Sequence, residues 1–493
     1  MAKTIHIGRP RSERPMATNY GVEVYAMSHQ PRSAKLISRR IVLAGIGAAA
    51  AVAGRAPRAA AATRDRHPED FDASVPLAWF DLALALTRTT PGFTPPVTAR
   101  ALGYAGVTLY EAVVPGSRQY RSLAGQWPGL RGLPRDERGG NWPVVANAAL
   151  AGILRSLYDN TSAANLAAID ALEAELSERA RGRSSHSEVA ASARRGAQVA
   201  RAVFDWSRGD GGHEGYLRNF PPDYVPPSGR GLWVPTPPAF QPALQPRWGD
   251  NRPLVLPDGR SCAPDDPTLY SEQRQSAFFG EAREVYDAVN NRTPEQEAIA
   301  LFWSDDPGVT ASPPGHSISV ATQVLRLEDA SLMLAAETYA KVGMAVCDAF
   351  IACWKTKYIY NLLRPVTYIQ RLIDPTWLPL LNTPPFPEYT SGHSVQSAAA
   401  FGVLADLFGD SYSFDDHTHD NRGLAPRRFD SFSAAAEEAA LSRLYGGIHL
   451  RPAIERGLTQ GRCLAEAVNG LPVRRLKRHG LRLGTLGTRR DRA

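Results

Sequence analysis

Cysteine, β-strand texture and long apolar runs are all scarce in this chain, and each shortage removes a class of protein. The four cysteines, Cys262, Cys347, Cys353 and Cys463, form no Cys-x-x-Cys pair, which argues against a thiolate zinc site. Their number leaves open either one disulfide or free buried thiols. The small, weakly apolar run from Ala44 to Gly54, resumed at Ala59 to Ala62, is shorter than the roughly 20 residues of a membrane span. Gly45-Ile46-Gly47 has no strand before it and lacks the third glycine of a dinucleotide loop. The serine-hydrolase elbow is also missing, because Tyr389 and His393 stand where the glycines flanking Ser391 would be.

Basic charge is plentiful but misplaced for a nucleic-acid partner. Residues 1–62 carry ten Lys/Arg against two acids, and residues 471–493 carry eight against one. With a net charge of +7 overall, the body between them is eight charges negative. The basic balance therefore belongs to the two tails, and nucleic acid is not expected as a partner. In the leader, Ser38-Arg39-Arg40-Ile41-Val42-Leu43 precedes the small apolar run. That is the layout of a twin-arginine signal, which predicts export by that machinery to the periplasm or exterior, with no stable membrane anchor.

What the body does contain is helical texture. Hydrophobic residues make up 43% of 493, enough for a packed interior and too much chain for one small core. Ala/Leu-rich stretches with i, i+3, i+4 apolar spacing run from Val75 to about Arg208, most clearly from Asn147 to Leu176. Between Tyr216 and Thr268 lie 13 of the 39 prolines, with Trp233 and Trp248 among them. Such a density of proline precludes regular helix, and the aromatics point to an ordered wrap rather than a loose linker. Helical texture resumes near Glu272 and continues to about Asn469. The expected fold is all-α: a helical bundle over 75–215, a proline-rich connector over 216–268, and a second bundle over 269–470 that carries the site.

Three clusters in the second half carry chemistry. In Lys357-Tyr-Ile-Tyr-Asn-Leu-Leu-Arg364-Pro365 the two cations are seven residues apart. On one helix they would share a face about 10.5 Å apart along the axis. Burying two cations on an otherwise apolar face requires an anion between them, although a solvated basic face would explain the pair as well. In Pro385-Phe386-Pro387-Glu388-Tyr389-Thr390-Ser391-Gly392-His393, Ser391 and Gly392 stand where a helix starts and its N–H groups point outward. Gly392 lets an anion approach the backbone, Ser391 adds a hydroxyl, and His393 is placed to exchange a proton. An ordinary capped helix start reads the same way. In Ser442-Arg443-Leu-Tyr-Gly-Gly-Ile-His449, six residues make about 600° of helix, so Arg443 and His449 would diverge unless Gly446-Gly447 breaks it.

Taken together and in this order, Lys-x6-Arg-Pro, Ser-Gly-His and Ser-Arg-x5-His resemble the signature shared by vanadium-dependent haloperoxidases and type 2 phosphatidic-acid phosphatases. Ala352-Cys353-Trp354 leading into Lys357, the Trp-Val-Pro-Thr-Pro-Pro segment from Trp233, and Leu441 to His449 are similar to bacterial haloperoxidase-like proteins. The resemblance covers roughly residues 75 to 470. It implies vanadate bound to His449 and neutralised by Lys357, Arg364 and Arg443, with Ser391 and the Gly392 N–H. It further implies His393 as the acid–base group, Asp305 as the acid orienting Arg443, and Trp354 and Phe386 on the halide side.

The implied activity is oxidation of halide by hydrogen peroxide to hypohalous acid, ending on an organic acceptor. The alternative is an exported acid phosphatase working through a phosphohistidine at His449, and a third reading is an anion binder without turnover. Two positions depart from the family pattern. Thr390 replaces a frequent proline, and Ala453 stands where many relatives carry Asp four residues after the metal-binding histidine, with Glu455 nearby. Loss of that acid would loosen the support of His449. The run Asp415-Asp416-His417-Thr418-His419-Asp420 could hold a divalent cation, but reads better as solvated surface.

Overall fold

The computed structural model describes residues 66–134, 140–182 and 184–475. The leader in which a twin-arginine signal was expected and most of the basic tail lie outside these residues. Thirteen α-helices follow one another among the described residues. They are α1 (Ser74–Thr89), α2 (Pro95–Val113), α3 (Trp142–Leu157), α4 (Ala163–Arg181), α5 (His186–Ser207), α6 (Ala277–Asn290) and α7 (Pro294–Phe302). Then come α8 (Ser312–Leu327), α9 (Leu332–Tyr360), α10 (Pro365–Leu372), α11 (Gly392–Phe408), α12 (Phe432–Tyr445) and α13 (Arg451–Asn469). Apart from isolated bridges, the strands among the described residues are one antiparallel pair, β1 (Phe414–Asp416) with β2 (Arg427–Phe429). The all-α expectation is met.

The local signals explain where the helices start. Asn141, Ser162, Ser185, Ser276, Thr293, Ser331, Ser391 and Ser431 each cap a helix with a side-chain oxygen that accepts a backbone N–H. The 29-residue α9 is the axle of the molecule, buried along nearly all its length. It lies against α2 in backbone contact: a Cβ on Gly106 would meet the Tyr339 carbonyl at 2.3 Å. The N-terminal and C-terminal helices therefore meet directly, and one hydrophobic core runs from α1 through α9 to α11 and α12. A smaller core gathers α6, α10 and the facing sides of α12 and α13.

The connector is an ordered wrap, as its tryptophans suggested. Trp233 and Trp248 are buried, and Trp233 N–H donates to the Asn361 carbonyl at 2.7 Å. Leu254, Val255 and Leu256 donate three backbone N–H bonds to the buried Asp348 carboxylate on α9, at 2.7, 2.8 and 2.9 Å. Leu244 turns its carbonyl to Trp354 Nε1 and Tyr358 Oη. The cysteine question also resolves: Cys262 in the connector is bonded to Cys463 on α13, while Cys347 and Cys353 are free and buried.

Candidate oxyanion site

Lys357 and Arg364 do not share a helix face. Helix α9 stops at Tyr360 because Asn361 takes a left-handed conformation, φ 47°, which asparagine tolerates better than most residues. Pro365 then holds Arg364 extended, at φ −79° and ψ 153°, as the residue before α10. The two cations nevertheless converge, one from the end of a helix and the other from the start of the next. Lys357 Nζ donates to the carbonyls of Pro387 (2.9 Å), Glu388 (3.0 Å) and Thr390. Arg364 donates Nε to the Phe386 carbonyl and Nη1 to that of Ile448, both at 2.8 Å. The segment from Phe386 to Thr390 is thus folded around two positive charges. The Phe386 ring lies between them, 5.0 Å from Lys357 Nζ and 4.9 Å from Arg364 Cζ, and 4.8 Å from Trp354.

Helix α11 begins as its sequence suggested. Ser391 is its cap, and the Ser391 N–H donates to Ala453 on α13 at 3.0 Å. Gly457 lets α13 pass this close, since a Cβ there would lie 3.1 Å from the Ser391 carbonyl. Beside Gly392 the nearest atom to a Cβ would be a Trp354 ring carbon at 3.9 Å, so its backbone faces open space. His393, in the first turn, has Nε2 at 2.9 Å from Arg443 Nη1.

Gly446 and Gly447 break the chain after α12, Gly447 at φ 79°, and return His449 to the side Arg443 occupies. His449 Nε2 lies 3.1 Å from Arg364 Nη1. His449 Nδ1 lies 3.0 Å from Glu388 Oε1, which also accepts the Leu450 N–H at 2.8 Å. An oxygen that accepts from the backbone also accepts from Nδ1. The proton therefore sits on Nδ1 and the Nε2 lone pair faces the cations.

Burial dominates the electrostatics. Lys357 and Arg364 are 0% exposed and Arg443 is 1%; the acid acting on the first two is the equally buried Glu388, while Asp305 and Asp306 act on Arg443. Burial, with Arg364 nearby, lowers Lys357 to about 7. It lowers Arg364 and Arg443 to about 10 and raises Glu388 to about 7. Burial and the neighbouring Arg364, Lys357 and Arg443 hold His449 well below its ordinary value, hence neutral. Burial and Arg443 do the same to His393. Arg443 donates Nη1 to the Trp303 carbonyl at 2.9 Å, while its Nε and Nη2 are buried without a hydrogen-bond partner. Such donors are costly unless something accepts from them. Gly392, His393, Arg443 and His449 line a cavity of about 460 Å³ with Trp354 and Phe386. Lys357, Arg364 and Ser391 lie behind that wall.

One expected contact does not form. Asp305 was expected to orient Arg443, but its carboxylate is taken by His316 Nδ1 at 2.8 Å and approached by His419 Nε2 at 3.4 Å. Among the described residues, no hydrogen bond or ion pair joins Asp305 to Arg443. The loop residue sits at φ 51°, which turns its side chain to α8. The acid–histidine run after β1 also differs from a solvated loop. Asp416 and His419 are buried, 0% and 2% exposed, while Asp415, His417 and Asp420 face solvent. Glu388 and His316 were the functional candidates the sequence reading passed over. Glu388 sits inside the Pro-Phe-Pro-Glu motif and was the acid to suspect, whereas Glu455 points outward to Arg451 at 3.9 Å.

The model of the VCPO second helical-bundle domain matches residues 337–376 and 372–476. A solved structure described as the first bacterial vanadium-dependent iodoperoxidase is 37% identical. The match covers 82% of this chain and 97% of that one, with a TM-score of 0.75. The chain belongs to the vanadium-dependent haloperoxidase family. A holo-type bacterial vanadium-dependent chloroperoxidase, 15% identical with a TM-score of 0.61 over 78% of this chain and 93% of its own, shares the fold. The vanadium chloroperoxidase of Curvularia inaequalis is 25% identical over 256 residues, covering 38% of this chain and 42% of that enzyme.

Within the haloperoxidase family both departures now have a physical reading. Thr390 is buried, donating Oγ1 to Gln460 at 2.7 Å while its carbonyl accepts from Lys357. At Ala453 no carboxylate is needed for Nδ1 of His449, because Glu388 Oε1 already stands 3.0 Å from that nitrogen.

Proposed function

We propose that this haloperoxidase-family chain is a vanadate-dependent haloperoxidase, exported by the twin-arginine route, that oxidises halide with hydrogen peroxide. The observation that carries the reading is the pairing of a neutral His449, its Nε2 lone pair turned toward the cations by the Glu388 contact, with the unsatisfied Nε and Nη2 of Arg443. One offers a metal ligand and the other donors to oxyanion oxygens, so the residues present fit vanadate. Vanadate, when bound, supplies a Lewis acid that activates hydrogen peroxide without changing its own oxidation state.

The chain's own residues do the rest. His449 Nε2 would hold the metal, Lys357, Arg364 and Arg443 would neutralise the oxyanion, and the Gly392 N–H at the α11 terminus would donate to it. His393, neutral beside Arg443, is able to take the proton that hydrogen peroxide sheds. Trp354 and Phe386 keep one side of the cavity apolar, where a weakly hydrated halide can sit. Hydrogen peroxide, halide and a proton then yield hypohalous acid and water, and an organic acceptor consumes the former. Export is supported by the arginine-pair leader and by the Cys262–Cys463 bond, which suits an oxidising compartment.

The same cage could stabilise phosphoryl transfer, with His449 Nε2 as nucleophile and His393 protonating the leaving alcohol. One experiment separates the readings. Protein reconstituted with orthovanadate is expected to halogenate a dimedone-type acceptor with peroxide and iodide or bromide. His449→Ala is expected to retain no vanadium by elemental analysis. Phosphate-ester hydrolysis that vanadate inhibits, without halogenation, would establish the phosphatase. Vanadium bound with neither activity would establish an anion binder.

A further inference from the structure

Behind Arg443 lies a second charged cluster, of which Asp305 reaches the lining of the cavity that Arg443 also lines. His316 on α8 is 1% exposed at its side chain and is held at both ring nitrogens by carboxylates, Nδ1 to Asp305 at 2.8 Å and Nε2 to Asp416 at 2.6 Å. Two carboxylates on one imidazole require it to be doubly protonated, since each nitrogen must donate. Asp416 is fixed in turn by the Thr418 N–H at 2.9 Å. The imidazole also lies flat on the Trp303 indole, with centroids 4.4 Å apart and planes 15° apart. The carbonyl of the same Trp303 accepts from Arg443.

The charges explain what this arrangement achieves. Asp305, His316 and Asp416 together carry one net negative charge, which balances Arg443 through space without touching it. A lone Asp305 carboxylate would do otherwise. It lines the same cavity as Arg443, and a buried arginine with two unsatisfied nitrogens is the strongest partner within the site. A bidentate pair there would consume the donors that the oxyanion needs.

We propose that His316 is a positioning residue, holding the Asp305 carboxylate away from Arg443 so that the guanidinium stays available to an oxyanion. Asp416 anchors the outer side of His316 and keeps the ring turned to Asp305. A cation at the Asp305, His316 and His419 cluster, whose ligand-type atoms lie within 4.8 Å of one another, would have to displace a carboxylate from a fully engaged ring. The hydrogen-bonded reading accounts for those contacts without that step.

The inference rests on the oxyanion reading of the site, and its test separates the two. His316→Asn places an amide donor where Nδ1 stands, keeping the bond to Asp305. His316→Gln places it where Nε2 stands, keeping only Asp416. Both remove the same ring and charge, so a merely structural role predicts equal effects. Binding of orthovanadate and of inorganic phosphate is measured by calorimetry on the full chain. His316→Asn is expected to leave both affinities close to those of the unsubstituted protein, and His316→Gln to weaken both at least about ten-fold. Adding Asp305→Asn to His316→Gln is expected to restore binding, because no carboxylate is left to capture Arg443.

Equal losses in the two variants, or no rescue, would overturn the proposal. If His316→Gln does not fold, Asp416→Asn, which leaves the inner bond intact, is expected to bind normally, and a ten-fold loss there would count against the idea. A crystal structure of His316→Gln reads the inference even if the unsubstituted protein binds neither anion, an outcome that would sink the oxyanion reading itself. Asp305 is expected within ion-pair distance of Arg443, and finding it unmoved refutes the role.

Discussion

Replacing Glu388 with glutamine should make the protein firmer and its cofactor looser. The Glu388 carboxyl is wholly buried and raised from 4.5 to about 7, mainly by burial. A raised acid costs stability once the pH passes its unfolded value. Unfolded Glu388 ionises near 4.5, whereas folded Glu388 holds its proton until about 7, so the penalty grows between those values and is complete above the upper one. At 1.36 kcal/mol per unit, the 2.5-unit shift sets a ceiling of about 3 kcal/mol. Glutamine keeps an oxygen able to accept from His449 Nδ1 and the Leu450 N–H but carries no charge. Glu388→Gln is therefore expected to be as stable as the unsubstituted protein near pH 4.5 and more stable by up to about 3 kcal/mol above pH 7. The same loss of charge makes His449 Nε2 a poorer donor to a metal, by an expected 10–100-fold in vanadate affinity. The assay pairs urea unfolding in vanadate-free buffer with equilibrium dialysis against orthovanadate. Affinity within two-fold of the unsubstituted protein, or a variant less stable at neutral pH, would refute the assignment of Glu388 as the acid that sets His449.

Two further outcomes follow from buried groups elsewhere. His316 is raised to about 10, because Asp305 and Asp416 outweigh the opposing effect of burial. Its contribution to stability should be complete below pH 6.5 and fade as pH rises through about 10. This is read as the difference between the unsubstituted protein and His316→Asn, because Lys357, lowered to about 7, gives a slope of opposite sign over the same range. A pH-independent difference would show that His316 is uncharged. Reduction of Cys262–Cys463, which closes a loop with a sequence separation of 201, should cost about 2–4 kcal/mol. Denatured but unreduced protein should titrate two thiols, Cys347 and Cys353, and four titrated thiols would disprove the bond.

The sequence was most legible where one local rule decides a conformation. Ser391 before Gly392 reads as a helix start, and Gly446-Gly447 reads as a break, because capping and positive φ depend on a few neighbouring atoms. The helical texture and the proline-rich wrap were legible for the same reason. Lys357 and Arg364 were misplaced on one helix because periodicity continues past Asn361, whereas the backbone turns there and Pro365 forbids a helical Arg364. Glu388 and His316 could not be assigned by spacing, since Glu388 meets His449 across 61 residues and His316 meets its second carboxylate, Asp416, across 100. Asp416 and His419 looked like surface because three charged neighbours are surface. Only packing decides which members of an acidic run turn inward.

The lining of the cavity is written in different stretches of chain. Arg443, His393 and His449 come from in or beside helix ends locked into the core, whereas Thr236, Pro237, Pro238 and Leu244, which line the same cavity, come from the wrap. Changes among these connector residues are therefore expected to alter what the cavity admits while Arg443, His393 and His449 keep their places.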